Sequence, residues 1–125
     1  MKAVLVDSDV LIEVLRGRDG ALQNRWEALA ESDALIAYSP VTAAEIWHGV
    51  REREKDTIAG LFSALTCVPI DGEIGQKAGD YLRRYHASHS VELGDALIAA
   101  TAVIHTMPLW TRNRKHYPMK EVQLY

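Results

Sequence analysis

The chain has 125 residues, of which 48% are hydrophobic and 25% are charged, with one cysteine and a formal net charge of −3. This length suits one domain with its own core, and the composition excludes a disordered chain. The negative charge argues against a protein that coats nucleic acid by bulk electrostatics, but it is compatible with a local basic rim around a site.

The apolar segments are too short for export or membrane insertion. The first, residues 2–6, is interrupted by Asp7 and Asp9 before a signal-length region forms. The longest, residues 96–104, is far shorter than a membrane span. Cys67 cannot form an internal disulfide, and we expect it to be buried in a strand. The sequence therefore predicts a cytoplasmic protein without a membrane segment.

Strands and helices alternate in the first half of the chain. Residues 3–6 form a short, continuous, β-branched run, which predicts a buried parallel strand. Two helices follow, one ending near Gly17 and one covering residues 21–31. Residues 34–38 predict the next buried strand, and Ser39-Pro40 is typical of the start of another helix.

The second half continues this alternation. The predicted elements are a helical arm around residues 58–65, a strand at 66–70, a helix over 74–85, a buried helix over 95–105, a strand at 108–111 and an edge strand at 122–124. Strands that alternate with helices predict an α/β domain, in which helices cover both faces of a parallel sheet. We expect residues 1–125 to form this single domain.

Three acidic residues and one amide follow predicted strands or open predicted helices. Asp7 ends the first strand, Glu45 lies in the first turns of the helix after the second, and Asp95 opens the buried helix. Asn113 lies just past the strand near residue 109. In an open α/β sheet, ligands gather outside the carboxyl ends of the strands. We therefore expect these four side chains to meet at one edge of the sheet.

Each of these residues also has a purely structural interpretation. Asp7 and Asp95 are suited to cap helices, Glu45 to close a capping box with Thr42, and Asn113 to occupy a turn. Capping explains each acid separately but does not predict that they share one edge. Clustered carboxylates repel each other, and Mg²⁺, which prefers oxygen ligands, relieves that repulsion. The pattern therefore predicts a divalent-cation site suited to phosphodiester hydrolysis.

Competing kinds of active site have weaker support in the sequence. Cys67 is expected to be buried, and no serine lies in a nucleophile-elbow pattern. There is no glycine-rich phosphate loop and no zinc motif. The histidines lack the spacing of zinc ligands and are interpreted as surface or capping residues. They are His48, His86, His89, His105 and His116.

Four segments together resemble PIN-domain nucleases, in particular the VapC-type toxins of bacterial and archaeal toxin–antitoxin pairs. They are Asp-Ser-Asp-Val-Leu-Ile at 7–12, Thr-Ala-Ala-Glu-Ile-Trp-His-Gly at 42–49, Asp-Ala-Leu-Ile-Ala-Ala-Thr-Ala at 95–102 and Trp-Thr-Arg-Asn at 110–113. Their order and spacing match the family over essentially the whole chain. The segment at 95–102 is the most specific of the four.

This resemblance implies a fold, an activity and partners. The fold would be a three-layer α/β/α sandwich with a central, mainly parallel sheet. The activity would be that of a Mg²⁺- or Mn²⁺-dependent endoribonuclease that cleaves structured RNA, such as tRNA or rRNA. The protein would usually be a homodimer, silenced by a cognate VapB-type antitoxin that enters the catalytic groove. By position, Asp7, Glu45 and Asp95 match the catalytic and metal-binding acids.

Further ligand positions follow from the same resemblance. Asp9 matches a position that varies among Asp, Asn and Ser. Many relatives have a fourth acid near Asn113, where this chain has a neutral amide. That departure puts a tightly held second metal in doubt. Glu92, one helical turn before Asp95, is an additional candidate ligand or simply a stabilising residue at a helix start.

Basic residues flank the predicted sheet edge and are candidates for RNA phosphate contacts, or else a solvated rim. They are Arg16, Arg18, Arg112, Arg114 and Lys115. Apolar helical residues Trp47, Ile58 and Phe62 are compatible with a dimer interface or with a core. Two alternatives to the nuclease remain: a catalytically inactive PIN-like binding module, and a phosphatase of the haloacid-dehalogenase class, which also begins with a strand and Asp-x-Asp.

Overall fold

A parallel sheet of four strands lies at the centre of the computed structural model, which describes residues 2–125. The strands are β1 (Ala3–Val6), β2 (Leu35–Tyr38), β3 (Thr66–Cys67) and β4 (Leu109–Trp110). Their order in the sheet is β3-β2-β1-β4, and every neighbouring pair is parallel. β2 and β3 therefore lie on one side of β1, and β4 lies on the other side.

Six α-helices connect these strands within residues 2–125. They are α1 (Ser8–Arg16), α2 (Gly20–Glu31), α3 (Pro40–His48), α4 (Lys55–Ser63), α5 (Gly72–His89) and α6 (Leu93–Ile104). Single 3₁₀ turns occupy Glu52–Glu54 and Arg114–His116. None of these helices is long and apolar enough to cross a bilayer.

The alternating side chains of β1 separate two cores. Val4 and Val6 pack with residues of α1, α2 and α4 on one face of the sheet. Leu5, between them, packs with residues of α5 and α6 on the other face. All three side chains are fully buried, which is the pattern of a strand covered on both sides. The expected three-layer α/β/α sandwich is confirmed.

Local signals set the bounds of the helices that carry the site. The Asp7 carboxylate caps α1, and Gly17 ends it with φ +67°, a left-handed conformation that favours glycine. The Ser39 hydroxyl accepts a hydrogen bond from the amide of Val41, with Pro40 in the first turn of α3. These features agree with the helix starts and stops predicted from the sequence.

Three expectations at the sheet edges were wrong. β3 ends at Cys67, instead of continuing to residue 70, and both of its residues are exposed because it is a short edge strand. The Cys67 thiol is consequently exposed, where burial was expected. The predicted strand at residues 122–124 is reduced to one bridge between Leu124 and Leu109.

The apolar residues predicted to lie in a dimer interface or a core divide between core and surface. Ile58 and Phe62 are buried in the core that contains α1 and α2, with exposed fractions of 5% and 8%. Trp47 retains 38% exposure. Two of the three residues are therefore explained by packing within the chain, and they no longer support an interface.

Candidate active site

The site lies where the sheet reverses its order of strands. β2 and β4 flank β1 on opposite sides, and the residues that follow β1 and β4 emerge side by side. The amide of Asp7 donates to the carbonyl of Trp110 at 2.9 Å. Asp7 and Thr111 are therefore neighbours at the carboxyl edge. A crevice at such a switch point is the usual ligand site of an open α/β sheet.

All six residues predicted as metal ligands line one open cavity of about 320 Å³ at this edge, which we call the acidic cleft. The cleft is lined by Asp7, Ser8, Asp9, Glu45, Glu92, Gly94, Asp95, Asn113 and His116. Four different parts of the fold meet here: the end of β1, the middle of α3, the start of α6 and the segment that follows β4. Helical capping alone does not predict this meeting.

Asp7 is buried and uses both carboxylate oxygens. Oδ1 accepts from the amide of Ser8 at 2.8 Å, so the capping interpretation is correct for this oxygen. Oδ2 accepts from the Tyr117 hydroxyl at 2.7 Å and from the Thr111 hydroxyl at 3.0 Å. Burial and the negative charge of Asp7 raise the pKa of Tyr117, so its hydroxyl stays a donor. These partners fix the orientation of the carboxylate.

Asp9 is held by one oxygen only. Oδ2 accepts from the amide of Arg112 at 3.0 Å and from Thr111 Oγ1 at 3.4 Å. Oδ1 is buried and has no hydrogen-bond partner among the described residues. Burial and the nearby charge of Asp7 raise the pKa of the Asp9 carboxyl above its usual range. A buried carboxylate oxygen without a donor is a costly feature that a cation or ordered water relieves.

Glu45 reaches the cleft from α3 and does not close a capping box. The N-cap of α3 is Ser39, and Thr42 is fully buried with its hydroxyl unpaired within residues 2–125. Glu45 instead accepts from the Ser8 hydroxyl at 3.1 Å, across 37 residues of sequence. Its pKa is raised by desolvation and by the charges of Asp7 and Asp95, which exceed the opposing effect of the Ser8 hydrogen bond.

Asp95 lies in the first turn of α6, three residues after the N-cap Glu92. Its Oδ2 accepts from the amide of Glu92 at 3.4 Å, and its Oδ1 is 3.5 Å from His116 Nδ1. Desolvation raises its pKa, as does the charge of Asp7, against the opposing effects of the Glu92 amide and His116. The expectation that Asp95 is the N-cap was wrong, because α6 begins at Leu93 and its N-cap is Glu92. Asp95 lies in the first turn as the N3 residue of a capping box and also lines the acidic cleft.

The acids influence each other without converging on one point. Desolvation and mutual repulsion raise the pKa values of Asp9, Glu45 and Asp95, as expected for a cleft with too little positive charge. Within residues 2–125, however, no three His, Cys, Asp or Glu side chains lie close enough to ligate a single ion. The acids instead line the walls of one open cavity.

Four polar residues of the site were not identified from the sequence: Ser8, Thr111, His116 and Tyr117. Ser8 lies between Asp7 and Asp9, and Thr111 precedes Arg112, so a search for hydroxyl groups next to the predicted site residues would have found both. His116 lacks a zinc spacing, so the sequence predicts only a surface or capping residue; it is exposed, and its ring also approaches Asp95. Tyr117 is 110 residues from Asp7 and gave no local signal.

Arg112, one of the predicted RNA contacts, is held by carboxylates of this chain. Its Nη1 donates to Glu13 Oε1 at 2.9 Å, and its Nη2 is 3.7 Å from Asp19 Oδ2. Glu13 is buried, and its other oxygen accepts from the amides of Arg18 and Asp19. The pair anchors the segment after β4 to the turn between α1 and α2.

The other predicted RNA contacts lie on different sides of the cleft. Arg114 and Lys115 line a second cavity, which shares Asn113 with the acidic cleft. Arg16 lines an apolar groove that meets the cleft at Glu45. Arg18 lines neither the second cavity nor the apolar groove. The five cations therefore do not form one continuous rim.

The sequence pattern that defines the PIN domain matches residues 4–122. The chain belongs to the PIN domain family. Ribonuclease VapC10 of Mycobacterium tuberculosis is 42% identical over 119 residues, which cover 94% of this chain and 88% of the relative. Every residue of the acidic cleft lies inside the matched region. This membership decides against the haloacid-dehalogenase-like phosphatase.

Solved structures share the PIN domain fold of this chain. One is VapBC2 from Rickettsia felis bound to a promoter DNA fragment, with a TM-score of 0.80 and 20% identity over 98% of this chain and 97% of that one. Another is a toxin–antitoxin complex from Klebsiella pneumoniae, with a TM-score of 0.76 and 25% identity over 95% and 94% of the two chains. The first supports the fold, and the second extends the similarity to a toxin–antitoxin protein.

Proposed function

We propose that this PIN domain, residues 1–125, is a divalent-metal-dependent endoribonuclease. The observation that carries the proposal is the acidic cleft at the switch point of the sheet, with Asp7, Glu45 and Asp95 as catalytic acids. The 42% identical relative is named a ribonuclease, which favours RNA as the substrate. A cation held by carboxylates is suited to the hydrolysis of a phosphodiester bond.

The cleft is suited to Mg²⁺ or Mn²⁺. The unpaired oxygen of Asp9, the excess of negative charge and the all-oxygen acidic donors fit a hard cation. Mg²⁺ is commonly held by one or two carboxylates together with waters and substrate phosphates, so it does not require three protein ligands at one point. The carboxylates that would supply these one or two ligands are among Asp7, Asp9, Glu45 and Asp95, with Asn113 and Glu92 at the margin.

When bound, the cation would activate water and stabilise the charge on the attacked phosphate. The residues of this chain prepare the site for that chemistry. Tyr117 and Thr111 orient the Asp7 carboxylate through hydrogen bonds to Oδ2. Ser8 fixes Glu45 across the cleft. These contacts hold the oxygens in place before substrate arrives, which lowers the cost of assembling the reactive arrangement.

The biological role proposed is that of a toxin in a type II toxin–antitoxin pair in the cytoplasm. The support is the resemblance to VapC-type toxins and the similarity to a chain of the Klebsiella pneumoniae toxin–antitoxin complex. The partner would be a VapB-type antitoxin that enters the catalytic groove, and the substrate a structured RNA such as tRNA or rRNA. Homodimerisation remains a prediction from the resemblance alone.

The test is incubation of the purified protein with total RNA in Mg²⁺, in Mn²⁺ or in EDTA. We expect fragments only with metal. Asp7→Ala, Glu45→Ala and Asp95→Ala should each abolish cleavage, because each removes a candidate metal ligand. Glu45→Ala and Asp95→Ala should keep a native circular dichroism spectrum, since they relieve repulsion. Asp7→Ala should also lower the free energy of unfolding, because the hydroxyls of Tyr117 and Thr111 lose their acceptor. Asp80→Ala, which removes an acid from α5 outside the cleft, serves as the matched control and should cleave normally.

Two outcomes would contradict this assignment. A folded Asp95→Ala protein that cuts RNA at the wild-type rate would show that the acidic cleft is not the active site. Intact RNA under every metal condition, with folded wild-type protein, would favour the inactive PIN-like binding module instead.

A further inference from the structure

A second cavity, of about 630 Å³, lies on the other side of the segment that follows β4. One wall is the start of α2, including Arg25, and the other runs from Trp110 to Lys115. We call it the basic pocket. Asn113 lines both this pocket and the acidic cleft, and the Thr111 hydroxyl bonds to Asp7 and Asp9. The two cavities therefore adjoin.

The basic pocket carries strong positive charge on a chain that is negative as a whole. Four cations line it, Arg25, Arg112, Arg114 and Lys115, against the single carboxylate of Asp19. Asp19 is already matched by Arg112, which also pairs with Glu13. The other three cations have no carboxylate within 4.0 Å in the described part of the chain. Such a concentration of charge attracts an anion.

Arg25 is held in place by aromatic rings rather than by an acid. Its guanidinium carbon lies 4.7 Å from the ring centre of Trp110 and 5.0 Å from that of Tyr125. The two rings pack against each other with centres 5.2 Å apart. Stacking engages the face of a guanidinium and leaves its N–H edge available for an oxygen anion. Arg25 is thus ordered without being neutralised.

The pocket is suited to a nucleic acid backbone rather than to a base. Trp110 is only 2% exposed, so its ring is not available to stack on a nucleobase. The free groups are cations, which contact phosphates and carry little sequence information. An RNA strand with one phosphate at the acidic cleft would meet repulsion there, and neighbouring cations would compensate for it. Because Asn113 lines both the acidic cleft and the basic pocket, an RNA strand that leaves the cleft on this side would enter the pocket directly.

We propose that the basic pocket binds the sugar–phosphate backbone of the RNA strand beside the cleaved bond, through Arg25, Arg114 and Lys115. This inference rests on the proposed nuclease function. It adds Arg25 to the cations predicted from the sequence, and it assigns Arg112 to the wall of the pocket instead of to a phosphate. Binding should be insensitive to base sequence and sensitive to salt.

The test measures binding apart from cleavage. The anisotropy of a short, fluorescently labelled, single-stranded RNA is followed in EDTA over a series of KCl concentrations, for the wild type, Arg25→Gln and Arg114→Gln. We expect each variant to bind about tenfold more weakly, which is the lower end of the range for one charge-assisted contact. Each should also reduce the slope of log K against log salt by about 0.7. A second RNA of different sequence should give the same changes.

Arg83→Gln is the matched control. It makes the same change of charge on α5, beside Ile104 at the far end of α6 from Asp95. It should leave affinity and salt slope unchanged. The Arg114 side chain is exposed and makes no hydrogen bond or ion pair in the described residues, so its variant tests the pocket even if Arg25→Gln loses stability. Arg25→Lys, which retains the charge, should restore part of the affinity.

The outcomes separate this inference from the proposed function. If Arg25→Gln and Arg114→Gln bind RNA as the wild type does, the pocket is not a backbone site, whether or not the protein cleaves RNA. If both variants weaken binding but the wild type never cleaves with metal, the basic pocket is supported as an RNA backbone site and the nuclease assignment fails. Unchanged RNA binding together with lost affinity for a protein partner would assign the pocket to an acidic protein segment and overturn the proposal.

Discussion

The carboxylate of Asp7 has two sets of partners, which belong to different parts of the fold. One oxygen caps α1 through the amide of Ser8. The other accepts from Tyr117 and Thr111, both of which follow β4. The same side chain therefore starts a helix and connects the first strand of the sheet to the last. The hydroxyl groups determine which way the cleft-facing oxygen points.

Tyr117→Phe tests whether this orientation matters for catalysis. Removing the hydroxyl leaves Asp7 Oδ2 with Thr111 alone, and loss of a partner that orients a metal-binding carboxylate commonly costs about 10- to 100-fold in activity or metal affinity. We expect the cleavage rate to fall by about 10-fold or more, measured with saturating Mg²⁺. The free energy of unfolding should fall by about 1–3 kcal/mol, because the lost bond is to a charged acceptor.

Tyr81→Phe provides the matched control. Tyr81 is also buried, and its hydroxyl donates to the carboxylate of Glu121 at 3.0 Å, but it packs against α6 outside the cleft. This variant should lose stability and still cleave at the wild-type rate. If both tyrosine variants lost activity in parallel, the effect of Tyr117 would be one of stability and not of orientation.

At the scale of elements, α3 and α6 approach each other closely at Gly94. Gly94 lies in the first turn of α6, and a Cβ built on it would lie 3.2 Å from Val41 Cγ1 in the first turns of α3. Glu45 and Asp95 are carried by the same two helices, one turn or less from this contact. The absence of a side chain at residue 94 thus allows the two acids to approach.

Gly94→Ala should therefore separate activity from stability. The gain in helix propensity, up to about 1 kcal/mol, offsets the crowding against Val41, so the free energy of unfolding should change little. The cleavage rate should fall by about threefold to tenfold, because small misplacements of catalytic groups are costly. Val41→Ala in the same chain should restore the rate by removing the clash.

Gly79→Ala is the control for this change of helix propensity. Gly79 lies in α5, and a Cβ there meets no atom within 4 Å. This variant should be as stable as the wild type or more so, with unchanged cleavage. A Gly94→Ala protein of full activity would show that the spacing of α3 and α6 tolerates an added methyl group.

The sequence predicts elements well where the signal is local. The buried run at residues 3–6, the Gly17 stop and the Ser39-Pro40 start each depend on residues within one turn, and all three agree with the structure. The length of β3 depends on whether a neighbouring strand covers it. As an edge strand it ends at Cys67, and Pro69, which interrupts the predicted run at 66–70, is the local sign of this.

The site shows the same division between local and distant information. The positions of Asp7, Glu45 and Asp95 at one sheet edge follow from topology, so the sequence predicts them. Their hydrogen-bond partners depend on side chains that return to the site late in the chain, such as Tyr117. The pairing of Arg112 with Glu13 spans 99 residues and likewise needs coordinates to be found.

At the scale of the whole molecule, the acidic cleft continues in two directions with opposite chemistry. The basic pocket adjoins it at Asn113, and an apolar groove of about 250 Å³ adjoins it at Glu45. The groove is lined mainly by Ile12, Leu15, Ile46, Val50 and Ile58, with Arg16 and Glu54. A phosphate backbone suits the first direction, and a protein segment with apolar side chains suits the second.

The proposed antitoxin should therefore occupy the apolar groove and reach the acids from the side of Glu45. Expression of the wild type alone should arrest growth, Asp95→Asn should not, and co-expression of the neighbouring open reading frame should restore growth.

Leu15, with 37% exposure in the groove, allows a sharper test. Leu15→Lys should still arrest growth and should escape rescue, because a charge buried against an apolar partner is costly. Ile70→Lys, which changes a side chain of 36% exposure outside the groove, should be rescued as the wild type is. Full rescue of a soluble Leu15→Lys protein would remove the groove as the docking surface, and harmless expression of soluble wild type would contradict the toxin role itself.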